Sequence, residues 1–158
     1  MTKIESRGKT EELQLVGFRI DVKQYAVDIG RVIEIIYYKT ATPLPQSPAF
    51  IEGVVDLRGI VIPVLDLKKR LRLPSTSTER PHHILIVRVQ DKTIGMVVDE
   101  VKQVLQIDES QIQSPQKILK GAASKHLQGI CKLNDQLVFI LSLDTLLSGD
   151  EQAQLQGI

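Results

Sequence analysis

The side chains that most often carry catalysis or bind metals are few in this chain. Its histidines are His82, His83 and His126, and its single cysteine is Cys131. No His-Glu-x-x-His or Cys-x-x-Cys pattern and no group of acids at metal-ligand spacing accompanies them in the sequence. We therefore interpret the histidines as exposed or packing residues, and we predict neither a metal site nor a cofactor.

Motifs for nucleophilic catalysis and phosphate binding are also missing from the sequence. It contains no Gly-x-Ser-x-Gly, Walker A or Gly-x-Gly-x-x-Gly pattern. Gly53 and Gly59 are separated by apolar strand residues, so they cannot form a phosphate loop. Cys131 lies in an apolar run with strand character, which indicates a small buried residue rather than a nucleophile. We predict that the protein is not an enzyme.

Composition narrows the remaining function classes. The net charge is +1, aromatic residues make up 4%, and Trp is absent, which argues against a nucleic-acid-binding protein. The one concentrated basic run, at 68–72, is interpreted as the solvated face of a short helix. The 42% hydrophobic content indicates a globular chain, and no apolar run is long enough to span a bilayer. The polar N-terminus and the lone cysteine predict a cytoplasmic protein.

The second half of the chain repeats the pattern of the first. Phe18–Ile36 aligns without a gap on Val87–Leu105, and Ile51–Leu71 aligns on Leu127–Leu147. Few residues are identical, but the apolar positions match closely. The 158-residue length fits one domain or two small ones, and each half alone would bury too little surface to be stable. We therefore expect two similar modules that pack on each other.

The elements that make up these modules are short strands. About ten runs with β-branched alternation are separated by turn signals, which predicts an all-β barrel or sandwich fold. Gly53–Leu57 and Ile60–Leu65 form a hairpin, with Gly59 accepting the positive φ that a tight turn needs. Three helical turns and four non-regular segments are also predicted. The helical turns are 67–71, one near Ile118, and one after Ser142 that buries Leu143, Leu146 and Leu147. The non-regular segments are the Pro-rich loop 40–48, a linker at 73–81, and flexible tails at 1–12 and 149–158.

Positions where the repeats differ indicate where the scaffold has been specialised. Arg58-Gly59 occupies the turn where the second repeat has Asn134-Asp135, although a turn alone favours Asn or Asp. Arginine offers a rigid fork of donors that suits a carboxylate partner, while an incidental exposed arginine is the alternative. Glu34 lies between apolar neighbours, so alternation predicts that it faces outward, with Val32 on the same face.

The segment Ala49–Leu67 (AFIEGVVDLRGIVIPVLDL) resembles the CheW family of bacterial chemotaxis coupling proteins. The family pattern is Phe-Ile-x-Gly, then Asn-Leu-Arg-Gly, then a Pro-Val/Ile-x-Asp-Leu ending. Tyr25–Ile35 and Ile94–Ile107 resemble two further segments of the family. Asp56 stands where Asn is usual, and Ala26 stands where Gly is common. The resemblance covers residues 13–148, which is the predicted extent of the domain.

This resemblance implies two packed five-stranded SH3-like β-barrels with short helices and no catalysis. It implies two partners: the regulatory domain of the histidine kinase CheA, which meets the end of the first barrel, and the cytoplasmic tip of methyl-accepting chemoreceptors, which docks between the barrels. It also implies recruitment to membrane receptor arrays. By motif match, the residues expected to act in coupling are Arg58, Glu34, Val32 and Gly53, with Arg58 first. Gly53 is expected to keep its strand close to a neighbour.

Three alternatives to a chemotaxis adaptor remain. A coupling protein of a paralogous pathway, such as pilus-based motility, would have the same fold and related partners. An SH3-like module for nucleic acid or a small ligand is disfavoured by the low aromatic content and the charge. An enzyme of unknown type is a more distant possibility. Because the chain begins at Met1 and ends soon after the second barrel, we expect a stand-alone adaptor without receiver or kinase domains.

Overall fold

The computed structural model describes residues 12–74, 79–115 and 125–155, which form two β-sheets and a few short helices. The first barrel has the strand order β3-β6-β7-β5-β4. Its strands are β3 (Val32–Tyr37), β4 (Ile51–Leu57), β5 (Ile60–Asp66), β6 (His83–Val89) and β7 (Lys92–Val98). The second barrel has the order β8-β1-β2-β11-β10-β9. Its strands are β1 (Glu12–Ile20), β2 (Lys23–Asp28), β8 (Glu100–Asp108), β9 (Ile112–Gln113), β10 (Leu127–Leu133) and β11 (Gln136–Leu141). The predicted all-β fold of two packed SH3-like barrels is confirmed.

The two sequence repeats exchange their first hairpins. Strands β1 and β2 belong to the first repeat but pair within the second barrel, while β6 and β7 belong to the second repeat and pair within the first barrel. The chain crosses between the barrels twice, through the 3-10 helix Ile29–Arg31 and through the single residue Asp99. Each barrel is therefore built from both halves of the chain, and neither half is a self-contained module.

The repeat is nevertheless preserved in the strand registers. Val64 on β5 pairs in parallel with Gly95 on β7, and the equivalent residues Ile140 and Ala26 pair in parallel on β11 and β2. The ladders of β4 and β10 each break at the same repeat position, at Gly53 and at Gly129. Equivalent residues thus occupy equivalent places, although the chain reaches them from different halves.

Among the described residues, apolar side chains pack in three clusters. One lies within the first barrel and includes Val55, and another lies within the second barrel and includes Cys131, the equivalent residue. Cys131 is 2% exposed, which confirms the prediction of a buried apolar role. The largest cluster combines residues of both barrels, from Phe18 on β1 to Met96 on β7, and fills the space between them. The two barrels therefore pack on each other, as expected for units that would each bury too little surface alone.

Short helices follow the last strand of each repeat. Helix α1 (Leu67–Arg70) begins at Asp66, whose Oδ1 accepts from the Lys68 N–H at 2.9 Å. The equivalent 3-10 helix, Leu143–Thr145, follows Ser142 and buries its leucines as predicted. The predicted turn near Ile118 lies outside the described residues. In the described segments, no helix has the length and apolarity that crossing a membrane would need.

The predicted flexible tail at 149–158 is wrong for the part of it that the structure describes. Gly149–Gln154 forms helix α2, with Ser148 and Glu151 in a reciprocal capping box. Glu151 also pairs with Arg70 on α1 at 3.0 Å, and the Arg70 guanidinium lies 4.4 Å from the centre of the Phe50 ring. Leu155 is 2% exposed and joins the large cluster between the barrels. The ion pair, the cation–π contact and the buried Leu155 together hold this helix on the barrels, although its sequence is mostly polar.

Candidate functional site

The predicted site begins at the β4–β5 turn. Arg58 and Gly59 have φ angles of 52° and 88°, as the two central residues of a tight hairpin turn require. Asp56 stabilises the turn, because its Oδ1 accepts from the Gly59 N–H at 2.7 Å. A positive φ is unfavourable for arginine, so this side chain is held at a strained backbone position. The turn projects Arg58, whose side chain is 71% exposed.

The Arg58 guanidinium reaches across to Glu34 on β3 and binds its carboxylate with two hydrogen bonds. Nη1 donates to Oε1 at 3.2 Å, and Nη2 donates to Oε2. Since β3 and β4 are the two edge strands of this sheet, the pair bridges the opening of the first barrel. The structure thus joins two of the predicted coupling residues directly, which the sequence comparison did not anticipate.

Electrostatics keep this pair ionised at neutral pH. The hydrogen bond from Arg58 lowers the pKa of the Glu34 carboxyl below its ordinary value. The same bond raises the pKa of Arg58. A planar, two-pronged arrangement of this kind suits acceptors with two oxygens, such as a carboxylate or a phosphate.

Gly53 lies where the first barrel closes. Its φ is 148°, and a Cβ built on it would stand 2.0 Å from the carbonyl oxygen of Thr42. That carbonyl accepts from the Val54 N–H at 2.8 Å, and the Thr42 N–H donates back to the Val54 oxygen at 2.8 Å. The backbone at position 53 is therefore in contact with the chain that follows β3. This geometry gives Gly53 a structural part at the site, on β4, the strand that leads into the turn carrying Arg58.

The predicted orientation of β3 is wrong in one respect. Glu34 and Val32 were expected to face solvent, but both are half-buried, and Val32 packs against the large cluster between the barrels. The outward face instead presents Ile33, Ile35 and Tyr37, of which Tyr37 is 83% exposed. A register break between Val32 and Glu34 accompanies this arrangement. The exposed apolar face is a feature that the sequence reasoning missed.

A signal for this orientation was present in the second repeat. Lys102 and Gln106 occupy the positions of Ile33 and Tyr37, and polar residues there mark the solvent-facing side of the strand. Both residues are exposed on β8. The signal is incomplete, because Val104, the equivalent of Ile35, is apolar and 54% exposed, and Gln103, the equivalent of Glu34, is also polar.

The paired histidines line a surface hollow at the end of β3. The hollow has a volume of about 810 Å³, and its lining includes Tyr37, Arg80, His82 and His83. Tyr37 stacks on His83 with ring centres 5.7 Å apart. Nδ1 of His83 lies 3.1 Å from the Val101 N–H and accepts its hydrogen bond, so a neutral ring carries its hydrogen on Nε2. Within the described ranges, His, Cys, Asp and Glu side chains form no group of three that could hold a metal ion.

Comparison with known sequences places these features in a family context. The model of the family described as "CheW-like domain" matches residues 14–151. The chain is 28% identical over 152 residues to the chemotaxis protein CheW of Treponema pallidum, covering 94% of this chain and 89% of that protein. It is 32% identical over 139 residues to the chemotaxis protein CheW of Bacillus subtilis, covering 88% of each.

A solved structure shows the same architecture. The chain matches the scaffolding protein TtCheW of Thermoanaerobacter tengcongensis with a TM-score of 0.80 and 32% sequence identity. The match covers 89% of this chain and 96% of that protein. The correspondence therefore includes both barrels and the crossings between them.

Proposed function

The chain belongs to the CheW family, and on that premise we propose that it couples transmembrane chemoreceptors to the histidine kinase CheA as a non-catalytic adaptor. The observation that carries this proposal is the extent of the similarity, which spans 96% of a protein described as a scaffold. The matched relatives support a role in chemotaxis signalling. The receptor tip, the kinase regulatory domain, the cytoplasmic location and the recruitment to receptor arrays belong to the proposal.

The ion pair at the opening of the first barrel supports a contact with an acidic partner. Arg58 is exposed and already holds a carboxylate in the geometry that a receptor glutamate would adopt. We place the receptor contact at Arg58, with Glu34 holding the guanidinium in position until the partner binds. Val32 supports β3 from the barrel side, and Gly53 maintains the shape of the neighbouring strand.

A co-sedimentation assay tests this function. Receptor-containing membranes are mixed with CheA and with the wild-type protein or Arg58→Glu, and kinase activity is measured in the pellet. Wild type should carry CheA into the pellet and activate it, whereas Arg58→Glu should not, because two carboxylates would then repel each other at positions 34 and 58. Lys132→Glu, an equal charge change at an exposed site of the second barrel, is the matched control.

The exchange variant Arg58→Glu with Glu34→Arg separates the ion pair from the partner contact. It restores the pair but moves the positive charge to β3. Loss of coupling in this variant supports a direct contact by Arg58, whereas full recovery means that the pair acts only on the structure. If wild type fails to bring CheA into the pellet, the proposed coupling to CheA fails. Sedimentation with the kinase of a pilus-based pathway would then identify the paralogous role.

A further inference from the structure

A buried charged cluster lies where the chain crosses from the first barrel to the second. Asp99, the single residue between β7 and β8, is 3% exposed, and within the described residues it is the one charged side chain that is buried. Its N–H donates to the Arg19 carbonyl oxygen at 3.1 Å, and its own carbonyl accepts from the His82 N–H at 3.0 Å. The backbone at the crossing is therefore fixed from both barrels.

The carboxylate of Asp99 joins three separate elements. Its Oδ2 accepts from the Asp21 N–H, in the β1–β2 turn of the second barrel, at 2.6 Å. The Lys68 ammonium, on α1 of the first barrel, lies 3.4 Å from the same oxygen and 3.0 Å from Asp21 Oδ1. Burial by itself lowers the pKa of Lys68, but the hydrogen bond to Asp21 and the charge of Asp99 outweigh it, so the net pKa is raised. Lys68 thus remains a cation between two carboxylates from the other side of the joint.

The other crossing, from the second barrel to the first at Ile29–Arg31, carries a similar joint with the charges reversed. Arg31, in the 3-10 helix between β2 and β3, binds Asp144 Oδ1 at 2.5 Å and donates from Nε to the Arg88 carbonyl oxygen at 3.0 Å. Asp144 is the repeat equivalent of Lys68. In the first joint, the basic residue Lys68 follows the last strand of its repeat and the acidic residue Asp99 lies at the crossing. In the other joint, the acidic residue Asp144 follows the last strand and the basic residue Arg31 lies at the crossing. They also differ in exposure, since the Asp144 side chain is 58% exposed.

The joints differ in kind from the apolar packing between the barrels. Apolar contact is non-directional, so the large cluster attracts the two barrels without specifying one angle between them. Ion pairs with hydrogen bonds have preferred distances and directions, and breaking one partner of a buried pair leaves an uncompensated charge. We therefore expect substitutions at Lys68, Asp99 or Arg31 to change the angle between the barrels. They should have a smaller effect on how strongly the barrels pack together.

We propose that the Lys68–Asp21–Asp99 and Arg31–Asp144 joints are positioning elements that set the angle between the two barrels and thereby the geometry in which both coupling partners are held. The second part of this statement rests on the proposed adaptor function. The first part concerns the protein alone and can be tested without any partner.

Spin-label distance measurements on the isolated protein test the angle. Labels are placed at Asp91→Cys in the first barrel and Lys132→Cys in the second, both exposed, with the buried Cys131 replaced by Val as at the equivalent position 55. Lys68→Met, which keeps the stem but removes the charge, should shift or broaden the distance distribution by about 2 Å or more. Lys69→Met, exposed on the same helix, is the matched control and should leave it unchanged.

A second pair of variants keeps the test decisive if Lys68→Met does not fold. Asp144→Arg should loosen the exposed joint, and adding Arg31→Asp should reverse part of the shift, because it rebuilds the ion pair but not the hydrogen bond from position 31 to the Arg88 carbonyl oxygen. In the co-sedimentation assay, the loosened variants should couple about fivefold less well than wild type. Unchanged distances in every folded joint variant would overturn the proposal, whatever the partner assay shows. Changed distances with unchanged coupling would remove its functional part, provided that wild type itself couples.

Discussion

The openings of the two barrels are built from equivalent positions but differ in chemistry. The first is bridged by Arg58 and Glu34, and the second has Asn134 and Gln103 in their places. There, a cavity of about 260 Å³ has a mixed lining that includes the amides of Gln103 and Asn134, the lysine Lys102, and apolar residues such as Leu105. Both charged residues of the first barrel have thus become neutral amides together. This paired replacement indicates that the ion pair is a unit, and that the fold can close the same hairpin without it.

The φ angles at the two turns show that arginine occupies a less favourable backbone conformation than asparagine does at the equivalent position. Arg58 and Asn134 have nearly the same φ, 52° and 49°. Asparagine tolerates this region well, whereas arginine is strained there. Strained residues persist where the surrounding structure and the function hold them. Arg72 and Gln90 have similar φ angles of 57° and 54°, so the conformation at Arg58 follows from the turn, and its part in coupling belongs to the proposal.

The largest expected effect concerns the two equivalent glycines at the strand breaks. Gly53→Ala should destabilise the protein by about 3 kcal/mol or more, because its Cβ would stand 2.0 Å from a backbone oxygen at a φ of 148°. Gly129→Ala should cost about 1–2 kcal/mol, because its Cβ would meet the movable Cγ2 of Ile112 at 2.2 Å. Urea unfolding measures both values.

Gly59→Ala is the control for backbone strain without a clash. A Cβ at position 59 meets nothing within 4 Å, but the φ of 88° remains unfavourable, so a loss of about 1 kcal/mol is expected. Equal losses at positions 53 and 129 would contradict the claim that the first barrel closes through a tighter backbone contact than the second.

The sequence predicted the parts of this structure that are local. The return strand Ile60–Leu65, the turn at Arg58-Gly59 and the helical turn after Ser142 follow from propensities that a few neighbouring residues determine. The repeat also predicted which strands correspond. It did not predict that the hairpin β1–β2 would leave its own repeat, because equivalent hairpins offer similar edges to either barrel and the choice depends on long-range packing.

The candidate site was predicted only in part for a related reason. Arg58 was identified from its mismatch with a turn, but its partner Glu34 lies 24 positions away in the chain, and alternation alone does not tell which face of β3 is buried. Helix α2 was missed because five of its six residues are polar or glycine, and Leu155, which anchors it, lies just beyond its end. Both errors concern contacts that only the assembled barrels create.

A smaller effect on stability is expected when Glu34 at the opening of the first barrel is replaced by glutamine, the residue at the equivalent position of the second barrel. The lowered pKa of Glu34 means that its carboxylate stabilises the folded state above the ordinary pKa of 4.5, and that this contribution is lost as the pH falls through the lower folded value. Glu34→Gln places the amide of Gln103 at this position and should reduce the acid sensitivity of the unfolding midpoint below pH 4.5. Urea unfolding between about pH 3 and pH 7 measures the difference.

The second barrel provides the control for this pH dependence. Gln103→Glu introduces a carboxylate beside Asn134, in a cavity whose described lining holds Lys102 but no arginine, so without a two-pronged hydrogen bond its acid profile should stay close to that of wild type. An unchanged profile for Glu34→Gln would mean that other acids account for the acid sensitivity, and that the pair at the first opening is too well solvated to contribute.

The smallest effect on stability, and the clearest separation of stability from function, is expected for Arg58→Asn. Asparagine is better suited to a φ of 52°, which offsets the loss of an exposed ion pair, so the melting temperature should stay within about 3 °C of wild type. Receptor-dependent sedimentation should fall about tenfold, as expected when a hydrogen bond to a charged group is lost. The reciprocal Asn134→Arg tests whether position alone confers binding, since it lacks a carboxylate partner at Gln103. If Arg58→Asn keeps full coupling, the arginine serves only the fold, and its strained conformation would have no functional explanation.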